Sequence, residues 1–236
     1  ILFNICGVFY KQIGQLDEAV KRFEKALAIN LEYAEAHNNL GVTLQKLGQL
    51  DSAVESYKKA ITSNPEYTEA HNNLGLILQD LGLMDEAVIS YEKAIASNPE
   101  YTEAHNNLGN IFKELKQLDA AVKSYEKVIA IKPDYPEAHY NLGNTLRELG
   151  QLETAIKSYE KVIAIKPDYA DVHFNLGDTL RKLGQLDEAI KCYEKAISIK
   201  VDFAYAYNNL GISLKMLDQL DEAIKCYEKA ISIEAN

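Results

Sequence analysis

The chain has 236 residues, 47% of them hydrophobic and 25% charged, with a formal net charge of −10. That balance supplies enough apolar surface for a packed interior. It excludes the basic stripe that nucleic acid needs to displace counterions from phosphates, and it disfavours anionic membrane surfaces.

No apolar run is long enough to span a bilayer and no secretory signal is visible, so a cytoplasmic location is expected. The cysteines Cys6, Cys192 and Cys226 are an odd set with no metal-ligand spacing. Cys192 and Cys226 fall at one repeat position on successive helices. Helix axes pack about 8–10 Å apart, beyond the roughly 7 Å Cα separation that a disulfide tolerates, so free thiols are expected. No cofactor or metal is expected.

In chain order the dominant signal is a repeat. Ala36-His37-Asn38-Asn39-Leu40-Gly41 returns at Ala70–Gly75 and Ala104–Gly109, with weaker copies ending at Gly143, Gly177 and Gly211. Gly7 holds the same place one step earlier. The step is 34 residues, which means a stack of small units rather than one globular core. With Ala34 as position one, seven units follow: 1–33, 34–67, 68–101, 102–135, 136–169, 170–203 and 204–236.

Each unit reads as two helices. His37, Leu40, Gly41, Leu44 and Leu47 fall at helical spacing on one face, and Gly48 stops that helix. Asp51 follows as the expected N-cap of the second helix, with an acid at the same place in every unit. The second helix buries Ala53, Val54, Tyr57, Ala60 and Ile61, and Asn64-Pro65 ends it, because a residue before proline is pushed out of helical geometry. Val201 replaces that proline in the sixth unit, so a looser joint is expected there. Small residues at positions eight, twenty and twenty-seven let helices approach, and the aromatic at position twenty-four fills the gap.

Leu40-Gly41, Leu44, Gly48, Leu50, Ala53, Tyr57, Ala60 and Pro65 together resemble the tetratricopeptide repeat, and the resemblance covers essentially the whole chain. Departures are local: His stands for the usual Trp in five units, Lys116 and Asp218 replace the turn glycine, and the first unit lacks the Leu. The resemblance implies an all-α solenoid, a right-handed superhelix of seven helix-turn-helix units whose first helices line a concave groove.

The candidate functional residues recur with the repeat. His37, His71, His105, His139 and His173 share position four on the buried face, one repeat apart, too far to share a metal ion at about 2.0–2.1 Å; core packing is expected. Asn39, Asn73, Asn107, Asn141, Asn175 and Asn209 share position six, which points toward the expected groove. Asn is a poor helix-interior residue by up to about 0.7 kcal/mol, yet it persists while positions nine and thirteen drift. An amide offers a donor and an acceptor without charge, matching a peptide backbone. The alternative is that each Asn ties adjacent repeats together. The ladder is similar to that of O-linked N-acetylglucosamine transferases and SPINDLY-type proteins, which implies a grip on substrate backbone; Ile5 takes the position in the first unit, and no glycosyltransferase domain accompanies the repeats.

Flanking positions add selectivity. Position twelve changes from Gln45 and Gln79 to Lys113, Arg147, Arg181 and Lys215, and position five from Asn to Tyr140 and Phe174. These basic and aromatic residues are expected to contact a peptide side chain. A chaperone-type carboxylate clamp is disfavoured, since it needs lysines near positions two and five. No Ser-His-Asp set, phosphate loop or metal cluster appears, so no enzyme activity is expected. The partner expected is a protein or an extended peptide. Alternatives are an assembly scaffold, including a homo-oligomer stacked end to end through Leu2 and Phe3, and the targeting arm of a glycosyltransferase. The apolar start and uncapped end suggest a piece of a longer protein.

Overall fold

A computed structural model describes residues 1–235. Among them lie fourteen α-helices: α1 (Leu2–Gln12), α2 (Leu16–Ile29), α3 (Ala34–Lys46), α4 (Leu50–Ser63), α5 (Thr68–Asp80), α6 (Met84–Ser97), α7 (Thr102–Glu114), α8 (Leu118–Ile131), α9 (Pro136–Glu148), α10 (Leu152–Ile165), α11 (Ala170–Lys182), α12 (Leu186–Ile199), α13 (Ala204–Met216) and α14 (Leu220–Glu234). The molecule is all-α, as the 34-residue pattern requires. It divides into two compact units, Ile1–Ile111 and Phe112–Asn236.

Each unit has the same internal logic. Consecutive helices pack as pairs, α3 on α4 or α11 on α12, and second helices pack on the next first helix, α2 on α3 and α4 on α5, then α8 on α9, α10 on α11 and α12 on α13. First helices also touch one another, α1 on α3 and α3 on α5, then α9 on α11 and α11 on α13. Among the described residues second helices make no such contacts with one another, so the first helices crowd the inner side of each unit.

Close approach within a pair depends on the helical glycine. A Cβ on Gly41 would stand 2.7 Å from Tyr57 Cε1, and one on Gly143 2.7 Å from Tyr159 Cε1. Both rings are fully buried, flanked by alanines such as Ala53 and Ala155 that are equally buried.

The helix ends differ in one respect from the sequence expectation. Asp51 and its equivalents do not cap the second helices. The N-cap residue is Gln49, without a side-chain bond, and Asp51 lies in the first turn. The same holds for Asp17, Asp85, Asp119, Glu153, Asp187 and Asp221. Starting the helix two residues earlier, at Leu50 rather than Ser52, brings Leu50 into it, and the acid then acts through the helix dipole rather than through a capping bond. At the Val201 joint Lys200 is extended at φ −125° and ends α12 without a following proline.

The turn inside each pair needs a left-handed residue. Gly14, Gly48, Gly82, Gly150 and Gly184 supply it at φ between +74° and +79°, while Lys116 (φ +60°) and Asp218 (φ +62°) are held there without glycine's freedom. Replacing Asp218 by glycine is expected to stabilise the chain by up to about 1 kcal/mol, read as a higher urea midpoint.

The five histidines have a structural task. Each Nε2 meets the backbone carbonyl six residues earlier: His37 with Leu31 at 2.8 Å, His71 with Pro65 at 2.8 Å, His105 with Pro99 at 3.0 Å, His139 with Pro133 at 2.7 Å and His173 with Pro167 at 2.8 Å. The ring thus fastens the loop between units to the following helix. Burial lowers the pKa of His37 below its ordinary 6.5, and its Nδ1 is buried without a partner. Protonation therefore favours the unfolded chain. The contribution is complete above about pH 6.5 and is lost as pH falls through the depressed folded value. Urea midpoints at about pH 7.5 and about pH 5 should separate more for the native chain than for His37→Gln.

All three cysteines are free and half-buried, and burial pushes the Cys192 thiol up to about 11.

Candidate functional site

The position-six asparagines are half-buried on the first helices, except Asn175, which is buried. Their side chains reach back one repeat. Asn39 Nδ2 donates to Asn4 Oδ1 at 3.2 Å, Asn73 to Asn38 Oδ1 at 3.0 Å and Asn107 to Asn72 Oδ1 at 3.0 Å. The acceptors Asn38 and Asn72 are themselves buried. One N–H of each of these amides therefore ties neighbouring first helices together. Lys11 Nζ donates to Asn39 Oδ1 at 3.1 Å, closing that amide further. Asn73 and Asn107 keep a carbonyl oxygen and a second N–H without a partner among the described residues. Asn141 is half-buried on α9, and Asn209 accepts from Asn208 at 3.3 Å on α13.

The second unit replaces the asparagine partner by an aromatic one. Asn175 Nδ2 donates to the Tyr140 hydroxyl and to Asn144 Oδ1, each at 3.0 Å. Tyr140 and Phe174 are committed to protein contacts on one face. Tyr140 packs on Tyr169 with ring centroids 5.4 Å apart, and Phe174 on Phe203 at 5.0 Å. Phe174 belongs to this aromatic packing, while the Tyr140 hydroxyl edge borders a cavity of about 670 Å³.

That cavity brings together residues from three helices. Lys113, Asn144, Arg147 and Lys182 line it, with Glu148 and Asp178 as its acids. Arg147 Nη1 donates to Asp178 Oδ2 at 3.0 Å, and Arg181 Nη2 to Asp178 Oδ1 at 2.7 Å. Arg181 also donates from Nε to the Tyr193 hydroxyl at 3.4 Å. Glu148 is held by Lys116 at 2.8 Å. Burial, with Arg147 and Lys116 adding repulsion, outweighs the pull of Glu148 and lowers the pKa of the Lys113 ammonium. Lys215 lies apart, exposed on α13.

Of the expected residues, Lys113, Arg147, Tyr140 and Asn175 meet at this cavity. Asn144 and Asp178 at position nine, and Glu148 and Lys182 at position thirteen, complete it without having been singled out in the sequence. Their signal was present in the change at position nine from Val42 and Leu76 to Asn144 and Asp178. Among the described residues no group of three or more His, Cys, Asp or Glu side chains is placed to hold a metal, and no helix is long and apolar enough to cross a membrane.

Helix pairs repeated at fixed register, with a polar ladder on the first helices, define an α-helical repeat protein. Models of the TPR repeat match residues 8–48, 45–82, 109–148, 143–183 and 177–218, and further tetratricopeptide models match 68–101, 204–236 and 90–123. The chain belongs to the tetratricopeptide repeat family. Among solved structures, MamA is 30% identical with a TM-score of 0.67, over 69% of this chain and 95% of its own. YrrB, described as a TPR protein with an unusual peptide-binding site, is 26% identical with a TM-score of 0.69, over 78% of this chain and 95% of its own. The C-terminal part of a TPR protein from Cytophaga hutchinsonii, at 18% identity, shares the fold with a TM-score of 0.83 over 98% of this chain and 95% of its own. No curated protein matches.

Proposed function

We propose that the chain is a non-catalytic protein-interaction module that holds an extended peptide segment along its first helices. The observation that carries this reading is the half-used amide. Asn73 and Asn107 each fix their orientation by one bond to the preceding repeat and retain an acceptor and a donor. A group held rigid before the ligand arrives loses little entropy on binding. The tie and the grip are then one device, since the bond between repeats aims the remaining polar atoms. A backbone that presents one donor and one acceptor per residue suits such a row. YrrB, with its own peptide-binding site, supports the reading by likeness of fold and sequence.

The test uses short random peptides displayed on phage and panned against the whole chain. Binders are expected, and their affinity should fall about tenfold or more in a chain carrying Asn73→Ala and Asn107→Ala. Circular dichroism of that variant should stay helical. Recovery of no binders, or of binders indifferent to the two substitutions, would end the proposal.

A further inference from the structure

We propose that the cavity formed by Lys113, α9 and α11 takes the carboxylate of an acidic side chain on the bound segment. The inference rests on the peptide-binding reading and adds to it a place and a chemistry.

Charge is the first argument. The cavity lining holds three cations, Lys113, Arg147 and Lys182, against two carboxylates, Asp178 and Glu148, and both acids are also paired with cations outside it, Arg181 and Lys116, on a chain whose net charge is −10. A local excess of cations against the overall sign is an arrangement that needs a cause, because mutual repulsion in a partly desolvated site is unfavourable.

The second argument is the pattern of pairing. Glu148 is paired with Lys116 at 2.8 Å, outside the lining, and Asp178 is shared between Arg181 at 2.7 Å, also outside it, and Arg147 at 3.0 Å. The lining cations are left under-used. Lys113 has no ion-pair partner among the described residues, Lys182 lies 3.9 Å from Asp178, and Arg147 makes one bond through Nη1. Its remaining N–H groups form a planar fork suited to a carboxylate.

A local change in the repeat produces this. In the second and third repeats, position-twelve glutamines accept from buried tyrosine hydroxyls, Gln45 from Tyr57 at 3.0 Å and Gln79 from Tyr91 at 3.2 Å. In the fifth repeat Asn144 takes that role for Tyr159 at 2.8 Å. Position twelve is thereby released, and Arg147 can turn to the cavity.

The ligand is read as a side chain rather than a chain end. The first helices continue past the cavity, from α11 on to α13 with which it is in contact, so a segment lying along them runs on beyond the cavity.

Panning the same random peptides against the native chain and against chains carrying Lys113→Gln with Arg147→Gln, or Lys182→Gln alone, tests this. The native pool should be enriched in Asp or Glu at one position. A recovered Glu peptide should bind the double variant about tenfold more weakly, and its Gln counterpart should bind both chains alike. Exposed Lys182 is on the surface, so its substitution leaves packing untouched and should lower the acidic preference in part. Binders without acidic enrichment, or enrichment that persists in both variants, overturn this inference and leave the peptide-binding reading intact. No binders at all overturn both. Equal or tighter binding when phosphoserine replaces the Glu overturns the carboxylate assignment.

Discussion

Gly75→Ala is expected to destabilise the chain by about 1–3 kcal/mol, although glycine to alanine inside a helix ordinarily stabilises by up to about 1 kcal/mol. The sign reverses because of what the new methyl meets. A Cβ on Gly75 would lie 2.6 Å from Tyr91 Cε1, 2.8 Å from Cδ1 and 2.9 Å from Cζ. Tyr91 cannot swing away, since its ring is fully buried between Ala87 and Ala94 and its hydroxyl donates to Gln79 at 3.2 Å. Relief must come from moving α5 away from α6, which opens the pair along its length. Urea denaturation of the whole chain reads the loss. In a Tyr91→Leu background the same alanine should do less harm, because the obstructing ring is gone; equal losses in both backgrounds would falsify the steric account. Gly82 is a control of another kind. A methyl there would meet no atom within 4 Å, but the residue sits at φ +77°, so alanine should lose only the left-handed preference, about 1 kcal/mol.

The contact of Gly75 with the Tyr91 ring is of a kind that a repeating sequence displays plainly. Position eight and position twenty-four sit on facing helices at constant spacing, and one ring against one missing side chain is a pairwise relation that recurs with the repeat. Helix number, helix pairing and the buried histidines were legible for the same reason. The capping residue was not, because Asp51 and Gln49 compete for the cap and a two-residue shift in helix onset leaves the apolar pattern unchanged. The direction of the asparagine side chains was half legible. Helical geometry puts position six beside the preceding first helix as well as beside open solvent, and only the folded chain shows that one N–H of Asn73 turns to Asn38. The cavity was least legible. It is built where the repeat departs from itself, from positions nine, twelve and thirteen of neighbouring units, and a period averaged over all units hides such departures.

Asn144→Ala shows how far the departures are coupled, and its expected cost is about 2–4 kcal/mol. The Asn144 carbonyl accepts from two donors, the Tyr159 hydroxyl at 2.8 Å and Asn175 Nδ2 at 3.0 Å. Tyr159 is fully buried and Asn175 nearly so. Alanine takes away the acceptor of the Tyr159 hydroxyl, leaving it only the Thr179 hydroxyl, which already donates to the Asn175 carbonyl, and leaves Asn175 with the Tyr140 hydroxyl alone; a buried donor poorly served costs about 1–3 kcal/mol. Tyr159→Phe should be mild by itself, because Asn144 keeps Asn175. The pair Asn144→Ala with Tyr159→Phe should recover about 1 kcal/mol or more of the single-variant loss, since no hydroxyl is then stranded. A double variant as unstable as the sum of its parts would mean that Asn144 acts through packing alone. In the second and third repeats the same hydroxyl is served from position twelve, by Gln45 and Gln79, with Val42 and Leu76 apolar at position nine. The polar partner has therefore moved by one turn of the same helix, from position twelve to position nine. A buried tyrosine must be satisfied from one place or the other, and Arg147 became available for the cavity only once Asn144 had taken its place.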